Sequence, residues 1–489
     1  MLGVVPSRQP PPPRGRRRVA ALLVVTCLGA ALAMPHTDAR GEMSRGGLAA
    51  PDPRPNIVLV LADDMRASDL RWMPRVRRLV GGPGVRLQGM LSNHPVCCPA
   101  RAELLTGQYA QNNGVHHNNG LFGGFETLRF PGNHVGAWLK DSGYATGLVG
   151  KFLNRWELDP VLQPGWTTFD PILARIYVPY GLTMYANGDP EPFPEVYTTT
   201  VVGSRAVAFV RSHAADEGPF FLWVNQVPPH DMKVGARWGP PQPEPQHADD
   251  FPRATSPSLA HPAFDEEDVS DKPEWVQALP RYSASTSTTW HRARIRSLQS
   301  VDDQVAALVD ALGDTGELAN TYVVFTSDNG YLLGEHRYAG KNVPYEEALH
   351  VPFLIRGPGL PQGVVRRRTF ELVDVVPTLL RLAGVRATRL LDGRSMLPAL
   401  RRGAAGKRFS LIQAGVPNEP WWWRGVRSDR YKYVRYGSGF EELYNLRRDP
   451  GELRNVAARP RYATVRADYA AKLDALEGCR GASCVEETS

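Results

Sequence analysis

The sequence predicts an α/β protein with a large, mostly parallel sheet between helices, followed by a smaller α+β subdomain. The run at residues 56–61 has no polar face, as expected of a strand buried on both sides of a parallel sheet. Such runs alternate with helical patterns across residues 55–385, which favours a doubly wound domain. After about residue 400, short aromatic segments alternate in polarity, which is typical of an antiparallel sheet.

Four predicted strands lead into polar residues that can bind ions. The strands cover residues 56–61, 144–150, 220–225 and 321–326, and the polar residues after them are Asp63 and Asp64, Lys151, His230, and Asp328 and Asn329. In open parallel sheets, ligands bind at the carboxyl ends of strands, so we expect these side chains to meet at one edge. Each has an ordinary alternative, such as a helix cap for an aspartate or a turn for Asp328 and Asn329.

Two long helical patterns complete the predicted domain, at residues 295–312 and 372–383, with Pro377 as a kink or start in the second. Residues 232–282 have no clear period, and we expect them to form a wall of an active site. The C-terminal part is predicted to contain a β-hairpin around residues 428–430 and a closing helix at 460–477.

The stretch from His94 to Gly107 holds two adjacent cysteines, Cys97 and Cys98, just before a predicted helix that Gly107 ends. Backbone N–H groups at a helix N-terminus favour an anion or a nucleophile. The pair could instead be two small buried thiols, or half of a metal site. Since no C-x-x-C motif accompanies them, the stretch favours a reactive site.

The N-terminus predicts an exported protein. Formal net charge is +7, but five arginines and no acids lie in residues 1–33, so the remainder carries only +2, which gives little reason to expect a nucleic-acid partner. A basic cluster precedes a 15-residue apolar run at residues 19–33, which predicts a signal peptide cleaved near Ala33 and use of the export machinery. Residues 34–54 are predicted to be a linker. Cys479 and Cys484 would suit a small disulfide loop in an oxidising compartment.

The predicted site combines oxygen ligands with cations. The residues that offer only oxygen ligands are Asp63, Asp64, Asp328 and Asn329. This set suits Ca²⁺ or Mg²⁺ rather than Zn²⁺. The cations are Arg101, Lys151 and Lys341. They favour a sulfate or phosphate ester as substrate, and His230 could exchange protons. A thiolate at Cys97 is an odd partner for a hard cation, and an oxygen nucleophile would make better sense.

The segment Cys97-Cys98-Pro99-Ala100-Arg101, continuing to Thr106-Gly107, resembles the signature of the type I, formylglycine-dependent sulfatases. The resemblance covers nearly the whole mature chain. Within the family, the double cysteine and Lys151-Phe152-Leu153-Asn154 look most like N-acetylglucosamine-6-sulfatases and related glycosaminoglycan sulfatases. Leu153 replaces a histidine of many arylsulfatase-type members, and His117 or Asn154 would compensate.

The resemblance implies an alkaline-phosphatase-like sulfatase fold, with a catalytic domain at 55–400 and a C-terminal subdomain at 401–489. It implies that a formylglycine-generating enzyme converts Cys97 to formylglycine, whose gem-diol attacks sulfur. Ca²⁺, rather than Mg²⁺, would be held by residue 97 together with Asp63, Asp64, Asp328 and Asn329. Arg101 would steady the diol, and Lys151, His230 and Lys341 would bind sulfate or serve the leaving group.

The implied activity is removal of sulfate from a sulfated carbohydrate, such as N-acetylglucosamine-6-sulfate or a glycosaminoglycan. Two alternatives stay open. One is a phosphomonoester or phosphonate hydrolase, since related folds share this metal and oxyanion pocket. The other is a non-catalytic carbohydrate-binding protein in which Cys97 remains a thiol.

Overall fold

The computed structural model describes residues 52–235 and 237–489. The predicted signal peptide at 1–33 and most of the predicted linker at 34–54 lie outside the described residues. None of the helices described there combines the length and the apolar character that a bilayer crossing requires.

The described residues form strands β1 to β18 and α-helices α1 to α12. The strands, in chain order, are Asn56–Ala62, Gly84–Leu91, Ala145–Gly150, Thr168–Ala174, Tyr180–Ala186, Asp189–Tyr197, Phe220–Asn225, Met232–Val234, Arg237–Gly239, Thr321–Ser327, Leu332–Leu333, Ala339–Gly340, Phe353–Arg356, Val364–Glu371, Ser410–Val416, Glu419–Arg427, Tyr431–Tyr436 and Glu441–Asn445. The helices are Pro74–Val76, Cys97–Thr106, Ala110–Asn113, Val135–Asp141, Thr198–His213, Glu274–Gln277, Ala284–Asp314, Glu346–Leu349, Val375–Ala383, Leu397–Arg402, Ala463–Glu477 and Ala482–Thr488.

Ten strands form one sheet, in the order β14-β2-β13-β10-β1-β7-β3-β4-β5-β6. The central strand β1 is parallel to both of its neighbours, β10 and β7. Strand β3 continues the parallel part between β7 and β4, whereas β13 is antiparallel to β10 and β2. The large, mixed and mostly parallel sheet that the sequence predicts is therefore confirmed.

Helices cover both faces of this sheet, and β1 is apolar from Ile57 to Ala62. Ile57 and Leu59 pack in one core, together with Leu104 of α2. Val58 packs in a second core on the other face, with Val301 of the long helix α7. Each such side chain stabilises the fold by about 1.5–3 kcal/mol when fully buried, so the middle of the sheet is a firm support for its loops.

The C-terminal part contains the antiparallel sheet β15-β16-β17-β18, with α11 packed against it. Strands β16 and β17 form the predicted hairpin, and α11 is the predicted closing helix. Cys479 and Cys484 form a disulfide. The domain boundary near residue 400 stays a prediction.

Residues 232–282 are not a plain loop. They contain the short hairpin β8–β9 and helix α6. Trp238 in β9 is 51% exposed, and its ring centroid lies 5.9 Å from that of His230. This segment therefore places an exposed aromatic side chain next to a residue of the predicted site.

Candidate active site

The register of the central strands brings the predicted polar residues to one edge of the sheet. Ala62 of β1 is paired with Ser327 of β10, so the following residues of both strands lie side by side. The backbone N–H of Asp64 donates to Asp328 Oδ1 at 3.0 Å. Strand β7 ends at Asn225, which is paired with Leu61 of β1 and also faces this edge.

Asp64 lies at the centre of this edge. Its backbone is in the left-handed region, with φ +68°, which is uncommon for a residue other than glycine. Its Oδ1 accepts from Asn329 Nδ2 at 2.8 Å and pairs with Lys341 Nζ. Its Oδ2 is buried and has no hydrogen-bond partner among the described residues.

The two cysteines lie in the first turn of α2 rather than before it, so the predicted position of this helix start was wrong. Val96 is extended and provides no side-chain cap. Instead, Oδ1 of Asn118 accepts from the backbone N–H of Cys98 at 2.8 Å. Because the cap comes from another segment, the sequence around Cys97 carries no helix-start signal.

Cys97 is completely buried among charged groups. Its Sγ lies 3.4 Å from Asp63 Oδ1 and 3.0 Å from Lys341 Nζ. Burial, with the nearby Asp63 carboxylate, raises the pKa of the Cys97 thiol to about 12. As encoded, this side chain is thus a protonated thiol, which is a poor nucleophile.

Cys98 has a different environment. It packs in the apolar core on the α2 face of the sheet, and its Sγ lies 3.9 Å from the carbonyl oxygen of Asn154. Burial raises the pKa of the Cys98 thiol to about 12. The structure thus separates the two cysteines, since only Cys97 faces the charged site.

Three predicted cations surround the carboxylates. Lys151 Nζ pairs with Asp63 Oδ2, and Arg101 Nε donates to Asp328 Oδ2 at 2.9 Å. Burial alone would lower the pKa of Lys151, but the adjacent Asp63 carboxylate raises it above its ordinary value. Burial, followed by repulsion from Asp63, raises the pKa of Asp328 to about 7.

His230 is held by its backbone surroundings and by aromatic packing. Its Nδ1 lies 2.7 Å from the carbonyl oxygen of Asp231. A carbonyl oxygen can only accept, so Nδ1 carries the proton and Nε2 is the free nitrogen, 3.7 Å from Asp64 Oδ2. Burial, followed by the positive charge of Lys341, lowers the pKa of His230 to about 4. The ring stacks on Tyr177 at 4.5 Å.

Tyr177, Asn225 and Arg294 belong to this site but were not predicted. Asn225 accepts from Arg101 Nη1 at 3.2 Å. Its position at the end of a predicted strand was a usable signal. Arg294 Nη2 donates to the carbonyl oxygen of Asp64, and a buried charge within the apolar stripe of α7 was a weaker signal. Tyr177 lies in an irregular segment, where the sequence has no comparable signal.

The two residues suggested to replace the family histidine lie outside the immediate contacts of Cys97. Asn154 Nδ2 donates to the hydroxyl of Tyr177 at 3.2 Å, and His117 Nδ1 lies 3.2 Å from Asn119 Oδ1. Among the described residues, neither side chain forms a hydrogen bond with Cys97.

The residues present fit a divalent cation. One ligand atom from each of four residues lies within 4.8 Å of the others, namely Asp63, Asp64, Cys97 and His230. Asp64 Oδ2 and Asn329 Oδ1 are both buried without a partner in the part of the chain that the structure describes. Unpaired buried oxygens and adjacent carboxylates are costly unless a cation compensates them.

Comparison with known proteins agrees with this geometry. The Sulfatase family profile matches residues 55–385, which contain every predicted site residue. The chain belongs to the sulfatase family. A second profile, N-sulphoglucosamine sulphohydrolase, C-terminal, matches residues 334–478. The protein is therefore a sulfuric ester hydrolase.

Two curated sulfatases are similar over most of their length. An arylsulfatase of Volvox carteri is 32% identical over 89% of this chain and 76% of its own. The N-acetylglucosamine-6-sulfatase of Homo sapiens is 27% identical over 90% of this chain and 87% of its own. The predicted likeness to N-acetylglucosamine-6-sulfatases is confirmed.

Solved structures share the fold. One, a complex with the substrate D-glucosamine-2-N,6-O-disulfate, has a TM-score of 0.72 and 20% identity, covering 88% of this chain and 98% of the other. The phosphonate monoester hydrolase of Agrobacterium radiobacter has a TM-score of 0.63 and 22% identity, covering 87% and 95%. The predicted sulfatase fold is confirmed.

Proposed function

We propose that this sulfatase removes sulfate from a sulfated sugar, with residue 97 as the catalytic residue after conversion of Cys97 to formylglycine. The position of Cys97 carries the proposal, because its buried Sγ lies within 3.4 Å of both a lysine and a carboxylate. The unpartnered oxygens of Asp64 and Asn329 support a divalent cation beside it.

The metal would be held by Asp63, Asp64, Asp328 and Asn329 together with residue 97. Their oxygen donors favour Ca²⁺, with Mg²⁺ as the less suitable ion. The formylglycine at residue 97 would supply a hydrated aldehyde oxygen as nucleophile, and the cation would supply positive charge to polarise the sulfate ester.

Two lysines would bind the sulfate group. Lys341 Nζ lies 3.0 Å from Cys97 Sγ, and Lys151 Nζ pairs with Asp63, whose other oxygen faces the same sulfur atom. Both ammonium groups therefore lie close to the reacting position and can stabilise the negative charge of the sulfate oxygens. Since each lysine also has a carboxylate partner, its ammonium is fixed before substrate binds.

Arg101 acts as a positioning residue in this proposal. Its guanidinium donates to Asp328, to the carbonyl oxygen of Lys151 and to Asn225, with distances of 2.9, 2.8 and 3.2 Å. One nitrogen, Nη2, is buried without a hydrogen-bond partner among the described residues and lies 3.5 Å from Asp63 Oδ2. The side chain thus connects three strand ends and leaves one donor for the site.

His230 is the proposed proton carrier. Because Nδ1 is committed to the carbonyl oxygen of Asp231, only Nε2 can take up a proton from the site. Its lowered pKa keeps the ring neutral at neutral pH, and it can pass a proton it has accepted to the leaving sugar oxygen.

The proposed substrate class is an N-acetylglucosamine-6-sulfate or a related glycosaminoglycan sugar. The human N-acetylglucosamine-6-sulfatase supports this class, with alignment over 90% of the chain. The exposed indole of Trp238 also supports it, since it lies beside His230 and offers an apolar face to a sugar ring.

We further propose that the protein is exported and that a formylglycine-generating enzyme modifies it. An extracellular sulfatase of Drosophila melanogaster is 32% identical over 73% of this chain and 32% of its own length. The disulfide between Cys479 and Cys484 is consistent with an oxidising compartment.

We also propose that residues 55–400 form the catalytic domain and 401–489 a subdomain that supports it. Trp423 Nε1 in the C-terminal sheet donates to the carbonyl oxygen of Asn342, next to Lys341, at 3.0 Å. Gln413 donates through its backbone N–H to the carbonyl oxygen of Asn93 at 2.9 Å. The subdomain thus supports two loops of the site through hydrogen bonds.

The test is mass spectrometry of the peptide containing residue 97, from protein made with the maturation enzyme, combined with kinetics on N-acetylglucosamine-6-sulfate. We expect formylglycine at residue 97 and sulfate release. Finding only unmodified cysteine in active protein would overturn the proposed chemistry. A strong preference for the matched 6-phosphate would favour the phosphoester alternative, and absence of turnover by converted protein would favour a binding function.

A further inference from the structure

Three adjoining cavities form a groove along strands β2 and β14, at one edge of the large sheet. Their volumes are about 440, 460 and 560 Å³. The first two share Arg77 and Arg86, and the third is joined to them through Gln88 and Val365. Seven arginines line this arginine groove: Arg71, Arg77, Arg78, Arg86, Arg366, Arg367 and Arg368.

The arginine groove contains positive charge without compensation. None of the residues that line the three cavities is an aspartate or a glutamate. Within residues 52–235 and 237–489, none of the seven arginines forms an ion pair, whereas arginines such as Arg427 and Arg435 do. This concentration is notable in a chain whose net charge beyond residue 33 is only +2.

A bulge in the edge strand presents two of these arginines. Arg366 is paired with Leu87 and Thr369 with Gly89, so Arg367 and Arg368 are both opposite the single residue Gln88. Arg367 Nε donates to Gln88 Oε1 at 3.1 Å, which orients one guanidinium, and its terminal N–H groups have no partner among the described residues. Bulges of this kind re-aim side chains at sheet edges.

The part of the groove around Arg86 lies away from the candidate active site. Arg86 is near the start of β2, whereas Leu91 at its end is followed by Ser92, whose Oγ donates to the carbonyl oxygen of Asp328 at 2.5 Å. The five residue-to-residue steps of extended chain from Arg86 to Leu91 span roughly 17 Å. A monosaccharide is too short to extend over this distance, whereas a polysaccharide is long enough.

We propose that the arginine groove is an exosite that binds a second segment of a sulfated polysaccharide substrate. The inference rests on the proposed function. The arginines alone would fit any polyanion, and the proposed activity on sulfated sugars identifies a sulfated polysaccharide as the ligand. A guanidinium can donate to two oxygens of one sulfate at once. Seven of them along three cavities favour a ligand with several sulfates over an isolated small ion. Charges on β14 also protect an edge strand from pairing with another chain, but that role does not explain Arg71, Arg77, Arg78 and Arg86, which come from other segments.

Binding of immobilised heparin tests the exosite without any need for turnover, using protein in which residue 97 is still cysteine. The test variant combines four substitutions at exposed side chains, R77Q, R78Q, R367Q and R368Q. We expect its Kd for heparin at constant salt to rise by about tenfold or more, with a shallower dependence on salt.

A matched control removes the same charge elsewhere. The control variant carries R448Q, R454Q, R459Q and R461Q, at exposed residues that line a different cavity with Asp449. We expect its Kd to change by less than about threefold, as for a purely long-range effect. Equal losses in both variants would overturn the exosite, as would tighter binding of duplex DNA or of phosphatidylglycerol vesicles than of heparin.

Kinetics distinguish failure of the exosite from failure of the proposed function. With formylglycine-containing protein, the test variant should keep its kcat/KM on N-acetylglucosamine-6-sulfate and show a higher KM on heparin. An equal change on both substrates would contradict the exosite. If neither substrate is hydrolysed, the catalytic proposal fails, while the heparin-binding comparison still decides the groove.

Discussion

The candidate active site and the arginine groove contain charge in opposite ways. In the candidate active site, Asp63, Lys151 and Arg101 are almost completely buried, and each has an oppositely charged partner. At the groove, Arg77 and Arg367 are exposed and have no carboxylate partner among the described residues. The comparison shows that a pocket for one small group uses fixed, mutually compensated charges, whereas a surface for a long polyanion can leave its charges free.

The largest expected effect comes from changing Cys97 in the candidate active site. Cys97→Ala removes the proposed catalytic group, and we expect kcat/KM for sulfate release to fall by about 10⁴-fold or more. The matched variant Cys98→Ala changes only a core side chain. It should lose about 0.5–3 kcal/mol of stability and keep most of its activity. Steady-state kinetics of both proteins test this expectation. An unchanged kcat/KM in the Cys97→Ala variant would refute a catalytic role for residue 97.

Removing one member of a buried pair should strongly affect stability. Arg101→Ala leaves Asp328 and Asp63 without a cation that contacts both. We expect the free energy of unfolding in urea to fall by about 3–5 kcal/mol in the absence of divalent metal. The exposed control Arg367→Ala should change it by about 0.5 kcal/mol or less. Similar losses in the free energy of unfolding for the two variants would contradict the contrast between the candidate active site and the arginine groove.

Calcium should stabilise the protein by binding at the buried carboxylates of the candidate active site. With free Ca²⁺ at 100 times its Kd, the native state gains about 2.7 kcal/mol, so the melting temperature should rise relative to protein in EDTA. Asp64→Asn keeps a side chain that tolerates the left-handed backbone at this position and removes one anionic ligand. Its calcium-dependent shift should be much smaller, and an equal shift in both proteins would place the ion elsewhere.

The strands and their polar ends could be predicted because local patterns determine them. The apolar run of β1 and the two aspartates after it are visible in any single stretch of sequence. The start of α2 could not be placed correctly, because Asn118 supplies the cap from a distant segment. Tyr177 reaches the site only through the path of an irregular segment, and sequence periodicity carries no information about such a path.

The arginine groove was not predicted for a related reason. Arg77 and Arg86 are far from Arg367 in the sequence, and they become its neighbours only because β14 pairs with β2 across nearly three hundred intervening residues. Net charge averages over the whole surface, so a chain that is close to neutral beyond residue 33 gives no indication of such a cluster. Strand order, which single stretches do not encode, decides where the charges accumulate.

The complete burial of Cys97 has a consequence for the order of events during biosynthesis. Its side chain has no exposed surface, and it lies beneath Lys341 and beside Asp63. A second protein cannot reach this sulfur atom once the sheet and α2 have assembled. The proposed modification therefore has a narrow time window, which opens when the segment leaves the ribosome and closes when the chain folds. Conditions that accelerate folding relative to modification should yield a well-folded but inactive population.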